Sequence, residues 1–236
     1  MRYHGACGSP VWSLHLDERR AQSEALYTQI LGEPLYVVFT SELRLEHRPT
    51  LHGFASAGVH SLVQECLPQR YRGPSPGVVI SDGDLRRQDP ATAATLFDAA
   101  ALHEVSHIAA SGITRAVCQR FHGGAHREQM MAAAPSEPLL WLHHGAAFLR
   151  ALCHLAHRVQ SRGHLVSLEL AFSHEAYGLS PAVQYRMACG DECSATSWLS
   201  LREALGRPSP AEFQELWTSD VRESLKSCPE LREGFV

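Results

Sequence analysis

The sequence predicts an α+β fold in which a small mixed β-sheet lies over one long helix. Two short apolar runs, at 35–40 and 77–81, have the length and composition of buried strands. The alanine-rich segment 90–111 contains no glycine, and its only proline is the first residue, as in a long buried helix. Helical periodicity dominates after residue 138, so strands and helices are segregated along the chain.

The elements before the long helix are defined by periodicity and by the turn residues between them. In chain order, the sequence predicts a helix at 17–30, a strand at 35–40 and a short buried strand at 77–81. Between the two strands, the segment at 43–48 alternates apolar and charged residues, and we expect it to pair with the strand at 35–40.

The long helix carries its own start and stop signals. Asp89 followed by Pro90 is the usual pairing of an N-cap residue with proline at the first helical position. Gly112 is suited to end the helix, because glycine adopts the left-handed conformation that follows many helices. We therefore expect a helix from Pro90 to about Ser111.

A second long helix is predicted from Pro138 to about Arg162, where apolar residues recur at helical spacing and Gly163 follows. Further helices are expected at 165–177, 181–189, 195–205 and 210–228. These elements suggest a first domain at 1–163 with a helical C-terminal extension at 164–236 packed on it, or one single domain.

The composition of the chain limits the expected partners and the expected location of the protein. The 236 residues carry a formal charge of −4 and contain no long block of Lys or Arg, so nucleic acid is not an expected partner. No apolar stretch approaches the length of a membrane span. Seven cysteines at irregular spacing argue for reduced thiols in a cytoplasmic protein. Nothing in the sequence indicates the oligomeric state.

The most informative residues are His103, Glu104 and His107, which form the pattern H-E-x-x-H in the predicted long helix. Two histidines four residues apart share a helix face, where both can bind one zinc ion. Glu104 is then placed to take a proton from water at the metal. The alternative interpretation is a helix with three polar surface residues. Burial of this segment would argue against that alternative, because buried His and Glu need partners.

A catalytic zinc site normally has three protein ligands, so a third donor is expected downstream. Ala110 and Ile113 stand where the metzincin pattern requires Gly and His, which excludes that class. We expect His144 to be the third ligand. The alternatives are His122, His126, His143 and a glutamate such as Glu128 or Glu137.

His144 begins the pattern His-Gly-x-x-Phe, which ends at Phe148 and follows H-E-x-x-H along the chain. Over residues 90–150 this combination resembles the SprT-like metallopeptidases, which are zincins. The resemblance implies a zincin-like fold and one zinc per chain held by His103, His107 and His144. It also implies that Phe148 packs under the ligand helix. The Cys-x-x-Cys zinc ribbon and the basic DNA-binding character that often accompany this family are missing, so the resemblance does not extend to DNA–protein-crosslink repair.

Two functions follow from these residues. The first is a zinc-dependent hydrolase that cleaves polypeptides, with Glu104 as the catalytic general base. The second is a non-catalytic, zinc-stabilised interaction protein of zincin-like fold, in which a fourth protein ligand fills the open position. A purely structural site has no need of a carboxylate between the two histidines, so Glu104 favours the enzyme.

Overall fold

The described part of the chain is built on a three-stranded mixed sheet with helices on both faces. The structure is a computed structural model that describes residues 10–45, 53–119 and 146–167, together with residues 170, 171 and 203. Its helices and strands are α1 Pro10–Leu31, β1 Tyr36–Phe39, β2 Gly53–Ser56, α2 Val59–Cys66, β3 Gly77–Ile80, α3 Pro90–Ser111, α4 Arg115–Cys118 and α5 Ala146–Gln160. Two 3₁₀ turns lie at Pro68–Arg70 and Leu85–Arg87.

In the sheet, β3 lies in the centre, in the order β1-β3-β2. β1 runs parallel to β3, with Val37 opposite Val78, and β2 runs antiparallel to β3, with Gly53 opposite Ile80. β2 is thus an edge strand, and within the described residues no further strand pairs with its outer side.

The two faces of the sheet bury different helices, as the alternation of side chains along a strand requires. Val37, Phe39, Val78 and Ile80 pack on one face against a core formed with α1, α3 and α5. Tyr36, Val38 and Val79 point to the other face, where they meet residues of α2. The first core is the larger one, and α3 runs through it.

The predicted signals define α3. The Asp89 side chain accepts hydrogen bonds from the backbone N–H groups of Ala91 and Thr92, at 3.1 and 3.0 Å. At the other end Gly112 adopts φ +61°, and its N–H donates to Ala109 and Ile108 carbonyls. α3 contacts α1, α5, β2 and β3. No described helix, α3 included, is both long and apolar enough to cross a membrane.

The helix predicted at 17–30 forms, and α1 begins earlier, at Pro10. The strand expected at 43–48 is wrong for its described residues: 43 and 44 form a turn, and 45 is not in a strand. The cause is side-chain hydrogen bonding: the Asp82 carboxylate accepts from Thr40 Oγ1 and from the N–H and hydroxyl of Ser41. These bonds turn the chain away from the sheet directly after β1. Residues 46–48 lie outside the described residues.

Of the other predicted strands and helices, some are confirmed, one is partly wrong and some lie outside the described residues. The strands at 35–40 and 77–81 are confirmed as β1 and β3, and the described part of the second long helix is α5, followed by Gly163 at φ +80°. The helix expected at 165–177 is wrong at its start, because 165–167 are not helical. The helices at 181–189, 195–205 and 210–228 lie outside the described residues, except for position 203. The domain division at 163 stays a prediction.

Candidate metal centre

His103 and His107 converge on one point beside the core face of α3. Their Nε2 atoms are 3.2 Å apart, and their ring centroids are 4.9 Å apart. Two nitrogens that each lie roughly 2.0–2.1 Å from one tetrahedral metal ion are separated by about 3.3–3.4 Å. The pair therefore has nearly the spacing of two ligands to a single zinc ion.

The protonation of His103 is set by a backbone carbonyl. Its Nδ1 lies 2.6 Å from the carbonyl oxygen of Ala171. A carbonyl oxygen only accepts hydrogen bonds, so Nδ1 carries the proton. In a neutral imidazole the other nitrogen, Nε2, then keeps its lone pair, and it accepts from His107 Nε2 in this structure. The same lone pair is the one that a metal ion would use.

Phe148 of α5 forms the floor of the pair. Its buried ring lies with its centroid 5.0 Å from that of His103 and 4.4 Å from that of His107. Ring packing of this kind limits the rotation of both imidazoles, which favours a fixed ligand geometry. α5 thus contributes directly to the shape of the site.

Glu104, between the two histidines in sequence, is 7 % exposed. Burial raises the pKa of its carboxyl to about 8. Within the described residues it has no hydrogen-bond partner. A buried carboxyl group without such partners is costly, and a nearby cation would stabilise its charged form. The interpretation of H-E-x-x-H as three polar surface residues does not agree with this burial.

Gly53 of β2 provides the space that Glu104 occupies. A Cβ atom built at residue 53 would lie 3.1 Å from Cγ and 3.2 Å from Oε1 of Glu104, and 2.7 Å from the carbonyl oxygen of Val79. Only glycine allows the edge strand and the carboxyl group to approach this closely. β2 is thus in direct contact with the Glu104 side chain.

The sequence candidates for a third ligand all lie outside the residues that the structure describes. Within residues 10–45, 53–119 and 146–167, no third His, Cys, Asp or Glu joins His103 and His107 in a metal-binding group. The candidates from the sequence, His144, His122, His126, His143, Glu128 and Glu137, all fall outside the described residues. His154, on α5, is buried and belongs to the packing of that helix.

Two residues of the site have no signal in the sequence. Ala171 falls in a segment predicted only as a helix, and its contribution is a backbone carbonyl, which any residue type could supply. Gly53 is the first residue of a strand that its composition does not predict, because Gly and Ala are poor strand formers. Both residues reach the site through tertiary packing.

Comparison with known proteins does not add to this geometry. No family model matches the chain, and neither a curated protein nor a solved structure matches it.

Proposed function

We propose that this protein is a zinc-dependent metallopeptidase, a hydrolase that cleaves peptide bonds. The observation that carries the proposal is the convergence of His103 and His107, with Nε2 atoms 3.2 Å apart, on the helix that also buries Glu104. This arrangement would supply two of the three protein ligands that a catalytic zinc ion normally has, together with a carboxyl group that can act as general base. The proposed stoichiometry is one zinc ion per chain.

Each residue has a distinct role in this proposal. Bound zinc would supply a Lewis acid that polarises the scissile carbonyl and lowers the pKa of a water molecule. Glu104 would accept a proton from the attacking water and deliver it to the leaving amine. His103 and His107 would bind as neutral imidazoles, so the metal keeps its full charge. Phe148 would hold both rings in place.

His144 is our proposed third ligand. Residues four positions apart share a helix face, and His144 precedes Phe148 by four residues. Because the Phe148 ring lies against both histidine rings, a side chain one turn before it on the same face would be directed to the same region. This relation and the His-Gly-x-x-Phe pattern support a zincin-like, SprT-like site.

The edge strand β2 suggests that the substrate is a polypeptide. β2 is an edge strand, and an extended peptide can add to such an edge through main-chain hydrogen bonds. Gly53, at the start of β2, lies against Glu104. A peptide aligned along this edge would pass beside the proposed general base. This geometry favours peptide hydrolysis over chemistry on a compact small molecule.

We further propose a cytoplasmic location and no nucleic-acid partner. Cys66, Cys118 and Cys153 form no disulfide, as expected in a reducing compartment. The formal charge of −4 opposes binding to a polyanion.

The test is Glu104→Gln, which preserves the shape of the side chain and removes its basicity. We expect zinc content to stay at the wild-type level while kcat on a library of unfolded peptides falls about 10²–10⁴-fold. Glu18→Gln, the same substitution at an exposed position of α1, is the control and should cleave as wild type does. Cleavage by the Glu104 variant at the wild-type rate would refute the mechanism. Zinc binding without any cleavage by wild type would support the non-catalytic, zinc-stabilised alternative.

A further inference from the structure

The chain that follows α5 turns back to contact the metal centre. Gly163, at φ +80°, lies directly beyond the last turn of α5, and the His164 N–H donates to the carbonyl of Val159. The Gln160 side chain then donates to the carbonyl of Val166, at 3.1 Å. These bonds hold residues 163–167 close to the end of the helix.

Ser167 is linked by two hydrogen bonds to Leu170 and Ala171, which are helical. Its hydroxyl oxygen accepts from the Leu170 N–H at 3.1 Å, and its carbonyl accepts from the Ala171 N–H at 3.0 Å. Serine is a favoured residue for this arrangement, because its side chain satisfies a backbone N–H that the first turn of a helix leaves without a partner. Ala171 is itself buried in the main core. Ser167 and the core together determine where the Ala171 carbonyl points.

That carbonyl accepts the Nδ1–H of His103 at 2.6 Å. A ligand histidine that donates its second ring nitrogen to a fixed acceptor has one tautomer and one orientation, and loss of such an acceptor weakens metal binding. The described contacts thus form a continuous path from Ser167 through Ala171 to His103.

We propose that Ser167 is a positioning residue of the metal centre: it orients the Ala171 carbonyl, which fixes His103 in the tautomer whose Nε2 carries the lone pair that a metal ion would use. The inference rests on the proposed zinc site for its consequence, but the tautomer itself exists without metal. Because of this contact, metal binding and the packing of Ala171 are thermodynamically linked. Whatever displaces Ala171 weakens metal binding, and bound metal stabilises its packing.

The first measurement is ¹⁵N NMR of the His103 ring in the full-length, metal-free protein. The two ring nitrogens have different shifts when protonated and when not, so the spectrum reports the tautomer directly. We expect the proton on Nδ1. A proton on Nε2 would overturn the inference even if the protein binds zinc. A proton on Nδ1 in a protein that binds no zinc would refute the proposed function and leave the Ser167–Ala171–His103 contact standing.

The second measurement uses three serine variants and zinc titration with the metal alone. Ser167→Ala should raise the zinc Kd about 10-fold and mix the two His103 tautomers, while Ser167→Thr, which keeps the hydroxyl, should restore both. Ser161→Ala is the control, because its hydroxyl donates to the Arg158 carbonyl at the end of α5. It should behave as wild type. If Ser167→Ala keeps the wild-type Kd and tautomer, Ser167 has no positioning role.

Discussion

At the residue scale, the site depends on how closely Glu104 and Gly53 approach each other. The carboxyl group is buried beside a strand residue that has no side chain, and a single methyl group at residue 53 would come within 3.2 Å of it. The same methyl group would lie 2.7 Å from a backbone oxygen of β3, so the strand itself would have to move. Position 53 therefore affects both Glu104, the proposed general base, and the edge strand.

Gly53→Ala should accordingly reduce catalysis without removing the metal. We expect kcat/KM to fall about 100-fold, the scale expected when reacting groups are misplaced by about 1 Å, while zinc content stays near one per chain. Peptidase assays, metal analysis and thermal unfolding on the same preparation would separate this effect from general instability. Unchanged kcat/KM would mean that Glu104 does not act from its position beside β2.

The sequence predicts the two candidate ligands that share a helix, but it does not predict the groups that contact the site from elsewhere in the fold. His103 and His107 are recognisable because their spacing alone places them on one face. The Ala171 carbonyl and the Gly53 Cα reach the site through long-range packing that no local pattern encodes. The identity of the third ligand, for which His144 is the prediction, also depends on long-range packing.

At the element scale, the carboxyl ends of β1 and β3 are joined by one buried carboxylate. Asp82 follows β3 and accepts hydrogen bonds from Thr40 and Ser41, which follow β1, and from Arg86. Burial alone would raise the pKa of Asp82, but the hydrogen bonds from Ser41, Arg86 and Thr40 outweigh it and hold the pKa below its usual value. The charged carboxylate thus stabilises the connection between the two strands.

This predicts a pH-dependent effect of Asp82→Asn. Because the folded pKa is lowered, the stability that Asp82 contributes is present above its unfolded pKa of roughly 3.9 and is lost as the pH falls through the folded value. The difference in Tm between wild type and variant should be largest near pH 6 and should shrink toward pH 3. Asp84→Asn, an exposed position two residues away, should change Tm little. A gap that is constant with pH would contradict the assigned role.

Elements whose signals are local were predicted well, and those defined by long-range contacts were not. The bounds of α3 follow from Asp89, Pro90 and Gly112, which act within one turn of the helix ends. The strand expected at 43–48 was wrong because its alternating pattern says nothing of the Asp82 carboxylate that bends the chain at Ser41. β2 was missed because its identity comes from pairing with β3.

At the scale of the whole molecule, α3 is the element on which the others converge. The sheet packs on one side of it, α1 on another and α5 on a third. Arg19 of α1 reaches Asp98 of α3, with Nε 2.9 Å from Oδ1, and Phe148 of α5 packs on the histidines. A metal site on this helix would therefore be supported by most of the described fold.

The packing of α5 on this core can be tested with two leucines. Leu152 is fully buried in the main core, whereas Leu165 is 89 % exposed. Leu152→Ala should lower the free energy of unfolding by about 2–5 kcal/mol, because it leaves a cavity beside α3. Leu165→Ala makes the same chemical change in solvent and should stay within about 0.5 kcal/mol of wild type. Equal effects in denaturant titrations would contradict the described position of α5.

Zinc content is the direct test of the proposed metal centre. Elemental analysis of protein purified with zinc present should give about one zinc per wild-type chain. His144→Ala should lose the metal and His143→Ala should retain it, because consecutive residues of the helix predicted from Pro138 would project about 100° apart. A wild-type value below about 0.2 zinc per chain would contradict the account.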